Sequence, residues 1–223
     1  MQRAELAKFI DHTLLGPVAT RDRVAALCEE GLRLDVASIC VNPCHVAQVK
    51  KLLDGSSVKA CSVIGFPHGM SIAEVKAFEA KKAIADGADE LDMVINVAAL
   101  KEGDFGTVED DIRAVCSAAS AAPRPVSVKV ILEMAHLTEK EKVAGATLAK
   151  AAGAHYVKTS TGFGPGGATV EDVALLRATV GTEMGVKAAG GIRDYDAALA
   201  MIDAGADRIG ASRTADILAG ADE

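Results

Sequence analysis

Short apolar runs alternate with longer amphipathic stretches from one end of the chain to the other. The short runs have the two-residue alternation and β-branched residues typical of strands, and the longer ones have the spacing typical of helices. The predicted strands lie near residues 9–13, 36–41, 58–65, 89–95, 126–132, 155–159, 185–189 and 207–210. The predicted helices lie near residues 20–31, 43–54, 71–86, 106–122, 138–152, 169–180, 194–204 and 212–219.

Local signals mark where several of these helices begin and end. Pro43 suits a first helical position, and the segments Ser71–Glu74 and Thr138–Glu141 have the spacing of capping boxes. Glycines that suit left-handed helix caps stand at positions 31, 55, 87, 153 and 205. The similar segments 85–89, 151–155 and 203–207 therefore predict a repeated tight joint between a helix and the next strand.

Eight strands that each lead into a helix predict an α/β fold with a parallel sheet covered on both faces. Eight such units close naturally into a (β/α)8 TIM barrel, whose site lies at the C-terminal ends of its strands. An open, doubly wound sheet with a ligand at its switch point is the alternative that periodicity leaves open. Because no Pro- or Ser-rich linker divides the chain, we expect a single barrel domain over residues 1–223.

Four predicted strands carry charged side chains where a buried strand should be apolar. Two-residue alternation separates Asp92, Lys129, Lys158 and Lys187 from their apolar neighbours and puts Glu133 on the same face as Lys129. If the apolar faces meet the helices, the charged faces point into the barrel. A buried charge is costly unless it has a partner, so this set predicts either an ion-pair network or a reaction centre.

The lysines favour a reaction centre. Burial and a neighbouring like charge both disfavour the ammonium form of a lysine. An uncharged lysine is a nucleophile that can form a Schiff base with a carbonyl compound. Lys158 and Lys187 end neighbouring predicted strands, so each would favour the uncharged form of the other.

Three late loops are rich in glycine and predict a phosphate site. They cover residues 161–167, 190–193 and 210–213, and barrels often bind phosphate through loop amides after their last strands. The candidate phosphate-binding residues are Thr161, Gly162, Gly190, Gly191, Arg193, Gly210 and Ser212. Tight turns alone would also explain the glycines. The G-x-G-x-x-G match at 162–167 is a weak dinucleotide signal, because it comes late and Pro165 removes an amide donor.

Composition narrows the classes of function. Of the 223 residues, 24 are Lys or Arg and 31 are Asp or Glu, which gives a net charge of −7. An acidic chain lacks the basic face that binds nucleic acid or an anionic membrane surface, and no apolar run is long enough to span a bilayer. The charged N-terminal segment does not resemble a signal peptide, so we expect a cytoplasmic protein with small-molecule substrates.

The five cysteines are an odd number and indicate reduced thiols. Cys40, Cys44 and His45 have a spacing that would allow a metal cluster, but no second ligand pair follows at the usual distance. We therefore expect no metal and no cofactor. In this interpretation Cys40 is a buried strand residue and Cys44 lies at a helix start.

Eight short segments carry most of these charges, glycines and strand ends. They read Asp11-His-Thr-Leu-Leu15, Cys40-Val-Asn-Pro43, Gly65-Phe-Pro-His-Gly69, Asp89-Glu-Leu-Asp-Met-Val-Ile-Asn96, Lys129-Val-Ile-Leu-Glu133, Lys158-Thr-Ser-Thr-Gly162, Lys187-Ala-Ala-Gly-Gly-Ile-Arg193 and Arg208-Ile-Gly-Ala-Ser212. In this order they resemble the deoxyribose-phosphate aldolase family. The lysine-bearing segments are the specific ones.

The resemblance implies a class I aldolase that needs no metal. Such enzymes reversibly cleave 2-deoxy-D-ribose 5-phosphate into D-glyceraldehyde 3-phosphate and acetaldehyde. Lys158 matches the lysine that forms the Schiff base. Lys187 matches a second lysine that favours its uncharged form and donates or accepts protons. Asp92 matches the group that donates and accepts protons, and Lys129 matches a lysine that supports this carboxylate. The glycine loops match the family's phosphate site.

Some features depart from the family or leave alternatives open. Arg213 stands where many members have a serine that binds phosphate, and Lys187 is followed by Ala-Ala. Asp11 and Thr13 either line the sugar pocket or serve packing and capping. A different phosphosugar barrel enzyme, such as an isomerase or a transaldolase-like enzyme, and a non-catalytic sugar-phosphate-binding module are the rival functions. We expect a homo-oligomer, either a dimer or a tetramer.

Overall fold

A closed barrel of eight parallel strands forms the centre of the computed structural model, which describes residues 1–222. The strands pair in chain order, and β1 pairs with β8 to close the ring. They are β1 Ile10–Leu14, β2 Ser38–Val41, β3 Lys59–Ile64, β4 Glu90–Val94, β5 Ser127–Ile131, β6 Tyr156–Lys158, β7 Gly185–Ala189 and β8 Arg208–Ala211. The predicted TIM barrel is therefore confirmed, and the open sheet is excluded.

Ten helices surround or flank the barrel in the described part of the chain. They are α1 Arg3–Ala7, α2 Arg21–Leu34, α3 Val46–Leu52, α4 Ala73–Ala85, α5 Val97–Glu102, α6 Phe105–Ser120, α7 Glu139–Ala151, α8 Val170–Val180, α9 Tyr195–Asp203 and α10 Thr214–Ala219. Two short 3-10 turns cover Pro43–His45 and Met134–His136. None of the helices within residues 1–222 has the length and apolar character needed to cross a membrane.

The main core lies between the strands and the helices. Buried strand residues such as Ile39, Leu91 and Val130 belong to the same apolar cluster as buried alanines of the helices. Ala80 of α4 and Ala119 of α6 are fully or almost fully buried in this layer. Small side chains allow helices and strands to pack closely, so the polar faces of the strands are left to meet inside the barrel.

The repeated joint between helix and strand is confirmed. In each case a left-handed glycine follows the helix, and the next alanine amide donates to a carbonyl in the last helical turn. The three bonds are Ala88 N to Ala83 O at 2.9 Å, Ala154 N to Ala149 O at 3.1 Å, and Ala206 N to Met201 O at 2.9 Å. This geometry delivers β4, β6 and β8 into the sheet in the same way.

Two predicted helix boundaries are wrong. Gly31 does not end its helix, because α2 continues to Leu34 and Asp35 takes the left-handed conformation instead. A Cβ at Gly31 would lie 2.3 Å from the terminal methyl of Ile39, so a larger residue there would force this buried side chain to move. Ser71 does not cap α4, because the chain is still extended at Ile72. The capping box of Thr138, by contrast, is present at the start of α7.

The sequence patterns missed α1 and α5, which have five and six residues. Helices this short complete too few turns to show a periodic apolar face. Asn96 caps α5 by accepting a hydrogen bond from the amide of Ala99 at 3.1 Å, and left-handed Gly103 ends the helix. The predicted helix near 43–54 divides into the 3-10 turn that begins at Pro43 and the shorter α3.

Candidate active site

Three lysines from neighbouring strands meet one carboxylate inside the barrel. Asp92 Oδ2 lies 2.8 Å from Lys158 Nζ and 2.6 Å from Lys187 Nζ. Its other oxygen, Oδ1, lies 2.9 Å from Lys129 Nζ. Asp92 and Lys129 are register partners across β4 and β5, as Lys158 and Lys187 are across β6 and β7. The four residues that the sequence nominated for catalysis are therefore brought together.

A second layer of charges lies beneath this carboxylate. Lys187 also contacts Asp11, and Lys129 Nζ lies 2.5 Å from Glu90 Oε2. Arg208 bridges the same two acids, with its Nη1 2.7 Å from Asp11 Oδ1 and 3.1 Å from Glu90 Oε2. These ion pairs join four basic side chains to three carboxylates, and we call the seven residues the barrel cluster. They are Asp11, Glu90, Asp92, Lys129, Lys158, Lys187 and Arg208.

The number of opposite charges determines the ionisation of the buried cluster. Burial raises the pKa of Asp92, but the positive charges of Lys129 and Lys187, together with the hydrogen bond from Lys158, outweigh burial and hold this pKa well below its usual value. Burial also opposes the charged forms of Lys129 and Lys187. Asp11 and Asp92 outweigh that effect, and the pKa values of both lysines are raised. Near neutral pH, Asp92 is thus a carboxylate, and Lys129 and Lys187 are ammonium groups.

Lys158 differs from the other two lysines because it opens onto a cavity. The cavity has a volume of about 620 Å³ and lies at the C-terminal ends of the strands, with Lys158 in its wall. All seven candidate phosphate-binding residues line the same cavity: Thr161, Gly162, Gly190, Gly191, Arg193, Gly210 and Ser212. A ligand in this space can therefore touch the amine and the glycine loops at the same time.

Close approach of neighbouring chain segments explains glycines in the cavity wall and directly behind it. A Cβ at Gly167 would lie 2.2 Å from the carbonyl oxygen of Gly190, so the loops after β6 and β7 can pack together only without side chains there. A Cβ at Gly210 would lie 3.1 Å from Lys187 Cε, which would press on the ammonium-bearing chain. These glycines therefore shape the wall as well as expose amides.

Two arginines stand at the edge of this cavity. Arg193 and Arg213 are exposed and line it after β7 and β8. Arg213 Nε lies 3.6 Å from Asp216 Oδ2, so this guanidinium is only loosely held. Two exposed guanidinium groups beside the glycine loops are suited to binding a phosphate dianion.

The position predicted for Glu133 is wrong, and the structure shows which contacts Asp11 makes. Glu133 does not join Lys129 in the barrel cluster, because β5 ends at Ile131 and Glu133 adopts a left-handed conformation that breaks the alternation. Asp11, by contrast, is fully buried and central to the ion pairs. Sequence reasoning assigned no role to Glu90 and Arg208, although each lies two residues before an inward-facing position of its strand.

The thiols do not form the cluster that the cysteine spacing allows. Cys40 is buried in β2, whereas Cys44 is exposed in the 3-10 turn. Within residues 1–222, Cys40, Cys61 and Asp92 form the only group of three or more His, Cys, Asp or Glu residues whose donor atoms all lie within 4.8 Å of one another. Asp92 is already surrounded by three basic side chains, which would repel a cation there. This donor set does not fit a metal ion.

Comparisons with known proteins agree on one family. The model of the DeoC/LacD family of aldolases matches residues 6–221. A deoxyribose-phosphate aldolase of Thermococcus gammatolerans is 55% identical over 219 residues, which cover 97% of this chain and 96% of that protein. One from Brevibacillus brevis is 56% identical over 214 residues, covering 96% and 95%. The solved tetrameric deoxyribose phosphate aldolase of Aeropyrum pernix matches with a TM-score of 0.90 at 34% identity, covering 98% of this chain and 91% of that one.

Proposed function

The chain belongs to the DeoC/LacD family of aldolases, and we infer that it reversibly cleaves 2-deoxy-D-ribose 5-phosphate into D-glyceraldehyde 3-phosphate and acetaldehyde. The reaction runs through a Schiff base on Lys158. The observation that carries this assignment is the position of Lys158, whose amine shares one oxygen of Asp92 with Lys187 and also borders the cavity of the glycine loops.

Charge balance supports an uncharged amine at position 158. The barrel cluster holds four basic side chains and three carboxylates, so its charges balance when one base is neutral. Lys129 and Lys187 each form ion pairs with more than one carboxylate, whereas among the described residues Lys158 forms an ion pair with Asp92 alone. The ammonium group of Lys187 contacts the same carboxylate oxygen as Lys158, so that oxygen already has a cationic partner when the neutral, nucleophilic amine of Lys158 reacts.

The first half of the reaction forms the imine. The lone pair of Lys158 Nζ attacks the aldehyde carbon of the open-chain sugar, and Asp92 transfers the proton that the nitrogen loses to the former carbonyl oxygen, which gives a neutral carbinolamine. One proton taken up from solvent through Asp92 then protonates the hydroxyl group, which leaves as water. The product is an iminium ion, and its positive nitrogen can accept an electron pair.

The second half breaks the carbon–carbon bond. Asp92 removes the proton from the hydroxyl group on C3, the C2–C3 bonding electrons move toward the iminium nitrogen, and glyceraldehyde 3-phosphate is released. An enamine of acetaldehyde remains on Lys158. Asp92 gives the proton from the C3 hydroxyl group to the terminal carbon of the enamine, which restores an iminium ion. Attack by water then frees acetaldehyde and the neutral amine, and the proton taken up during imine formation is released. Lys129 holds Asp92 Oδ1 at 2.9 Å, so Oδ2 is the oxygen oriented toward Lys158.

The loops after β6, β7 and β8 hold the phosphate group. The amides of Gly162, Gly190 and Gly191 and the hydroxyl of Ser212 supply neutral donors, and Arg193 supplies positive charge. A ligand anchored this way at one end presents its aldehyde to Lys158 at the other, because all of these groups share one cavity. Positioning of this kind accounts for a large part of the rate enhancement of many enzymes.

Trapping the imine tests the assignment. The protein is incubated with acetaldehyde and sodium borohydride, digested and analysed by mass spectrometry. We expect a reduced two-carbon adduct on the peptide that contains Lys158, and none on this peptide without acetaldehyde. A protein that turns over deoxyribose 5-phosphate without any adduct, or with the adduct on another lysine, would contradict the role of Lys158. Binding of the sugar phosphate without turnover or adduct would instead favour a non-catalytic binding module.

We also propose that the chain forms a homo-oligomer. The relative from Aeropyrum pernix is a tetramer, and this chain exposes apolar side chains around the start of α4. Met70, Val75 and Phe78 line one shallow cavity there, and Phe78 is 72% exposed. Light scattering coupled to gel filtration measures the mass in solution. We expect a dimer or tetramer, and a smaller species for Phe78→Glu; a monomeric wild type would contradict the proposal.

A further inference from the structure

Glu133 is a buried carboxylate that the reaction as described does not use. The residue is only 5% exposed, yet within residues 1–222 no basic side chain forms an ion pair with it. Its backbone is left-handed, with φ 56° and ψ 60°, which is strained for a residue with a side chain. Burial of the carboxyl group and an unfavourable backbone conformation coincide at Glu133. Specific contacts of this side chain must therefore compensate for both.

The carboxylate faces the loop that follows Lys158. Both oxygens of Glu133 lie 3.3 Å from the amide nitrogen of Thr161, and one of them also accepts a hydrogen bond from the Thr161 hydroxyl. The Thr161 hydroxyl oxygen in turn accepts a hydrogen bond from the amide of Phe163 at 3.0 Å. A Cβ at Gly164 would lie 3.0 Å from Glu133 Cδ. Glu133 is therefore packed against the whole turn from 161 to 164.

The left-handed turn at Glu133 explains how this contact arises. Backbone pairing between the ends of β5 and β6 continues on either side of it, with Leu132 N donating to Lys158 O at 3.0 Å and Met134 N donating to Thr159 O at 2.9 Å. The turn therefore redirects the side chain of Glu133 away from the barrel cluster without separating the two strand ends. The carboxylate and the loop after Lys158 are in this way attached to the same rigid edge.

We propose that Glu133 is a positioning residue that holds the 161–164 loop in the shape that binds the phosphate group of the substrate. The inference rests on the proposed function, since it assigns Gly162 to the phosphate site. Gly162 lies between the two residues that the Glu133–Thr161 contacts fix, and it is itself left-handed, with φ 83°. With those contacts in place, the amide of Gly162 is oriented before the substrate arrives, so binding does not have to order the loop.

The effect of Glu133 on the reaction is selective. The loop touches the phosphate end of the ligand, whereas the chemistry occurs at Lys158 on the barrel cluster, which Glu133 does not contact. Loss of the carboxylate should therefore weaken the use of phosphorylated substrates and spare those without phosphate. A residue that merely stabilised the fold would affect both classes of substrate equally.

The experiment compares two substrates in the full-length protein. Initial rates of cleavage are measured for 2-deoxyribose 5-phosphate and for unphosphorylated 2-deoxyribose with Glu133→Ala, Glu133→Gln and the wild type. We expect kcat/KM for the phosphorylated sugar to fall on the order of 10- to 100-fold in Glu133→Ala, mainly through KM, and to change less than about 3-fold for deoxyribose. Glu133→Gln keeps an acceptor oxygen for Thr161 and should lie between the two.

Matched variants and the imine trap separate the outcomes. Glu183→Ala, an exposed glutamate at the opposite end of the barrel, should leave both substrates unchanged. In Thr161→Val, which removes the hydroxyl partner, a further Glu133→Ala change should have a smaller effect than in the wild type. An equal loss for both substrates, or no loss for either while the acetaldehyde adduct on Lys158 persists, would overturn the inference. Failure of the adduct to form in the wild type would contradict the proposed function instead.

Discussion

The protein buries lysines in two places, and their partners differ. Inside the barrel, Lys129 and Lys187 each contact at least two carboxylates of the barrel cluster. Outside it, between α4 and α6, Lys76 has no exposed surface and a single carboxylate partner. Its Nζ donates to Asp111 Oδ2 at 2.6 Å and to the carbonyl of Val94, at the end of β4, at 2.8 Å.

The titration behaviour of the two regions is opposite. Burial lowers the pKa of Lys76, and the attraction of Asp111 does not restore it. Burial likewise raises the pKa of Asp111 above its usual value despite Lys76. In the barrel cluster the pKa of Lys187 is raised and that of Asp92 is lowered, because several opposite charges surround each group.

This difference shows that burial alone does not identify a reactive lysine. Lys76 has the lowered pKa that a nucleophile needs, but it is enclosed by packed helices and no carbonyl compound can reach it. Lys158 is also buried, with 3% of its surface exposed, yet that small part borders a cavity. Lys158 differs from Lys76 in two ways. A substrate can reach it from the cavity, and its carboxylate partner also binds a second lysine.

Removing one lysine from each region tests directly which of them is needed for turnover. In Lys158→Leu we expect kcat to fall by on the order of 10⁴-fold or more, because the covalent intermediate cannot form. In Lys76→Met we expect kcat per folded molecule to stay within about 2-fold of the wild type, since position 76 touches no substrate. Steady-state rates at a temperature where both variants are folded check this. Substantial turnover by Lys158→Leu would refute its role.

Lys187 tests whether a fixed cation matters beside the nucleophile. In Lys187→Met the rate near neutral pH should drop by roughly 10²- to 10³-fold, because the ammonium group that shares Asp92 Oδ2 with Lys158 is lost. The proposed role of Lys187 also predicts an upward shift of the pH optimum. A pH–rate profile of kcat/KM measures the shift, and an unchanged profile would argue against the proposed effect of Lys187 on Lys158.

The ion pair between Lys76 and Asp111 should contribute to the free energy of unfolding. Lys76→Met leaves Asp111 buried without its partner, which typically costs roughly 3–5 kcal/mol of unfolding free energy. In Lys76→Met/Asp111→Leu, where no charge is left behind, we expect most of this loss to be recovered. Urea unfolding followed by circular dichroism gives both values. Equal destabilisation of the single and double variants would show that packing of the lysine stem, rather than the charge, is responsible.

The smallest expected effect is in the pH dependence of stability. The raised pKa of Asp111 makes its contribution to stability largest at low pH, and that contribution falls as pH rises above about 4. The lowered pKa of Asp92 has the opposite sign, because its contribution is lost as pH falls below about 4. On acidification from pH 6 to 3, the stability advantage of the wild type should grow over Asp111→Asn and shrink over Asp92→Asn.

Each of these slopes is limited to less than about 1.4 kcal/mol per pH unit, the value for one proton. Urea unfolding at several pH values in the same buffer system measures them. Slopes of the same sign for both variants would mean that the two buried regions do not differ in the way the ion pairs indicate.

Strand alternation predicted most of the site, because inward and outward faces differ so strongly in a barrel. It identified Asp92, Lys129, Lys158 and Lys187, and the same rule would have found Glu90 and Arg208, which precede inward positions by two residues. Where charges from different strands interact, however, depends on barrel closure. Arg208 reaches Glu90 across the interior, and no local pattern places β4 opposite β8.

Other features of the structure could not be predicted from the sequence, for different reasons. Lys76 shares a helical face with Ala80 and Ala83, so its burial was readable, but its partner Asp111 lies on another helix 35 residues away. The left-handed turn at Glu133 has no signal in the sequence, because glutamate normally avoids this conformation. Only the contact with Thr161 reveals why the chain turns there.

The buried charges close the barrel on the side away from the cavity. Lys129, Asp11 and Asp92 have no exposed surface, so a ligand reaches Lys158 from the cavity that the glycine loops line. If the phosphate end of the substrate occupies those loops, we expect cleavage to release the phosphorylated product before acetaldehyde, and synthesis to bind acetaldehyde first.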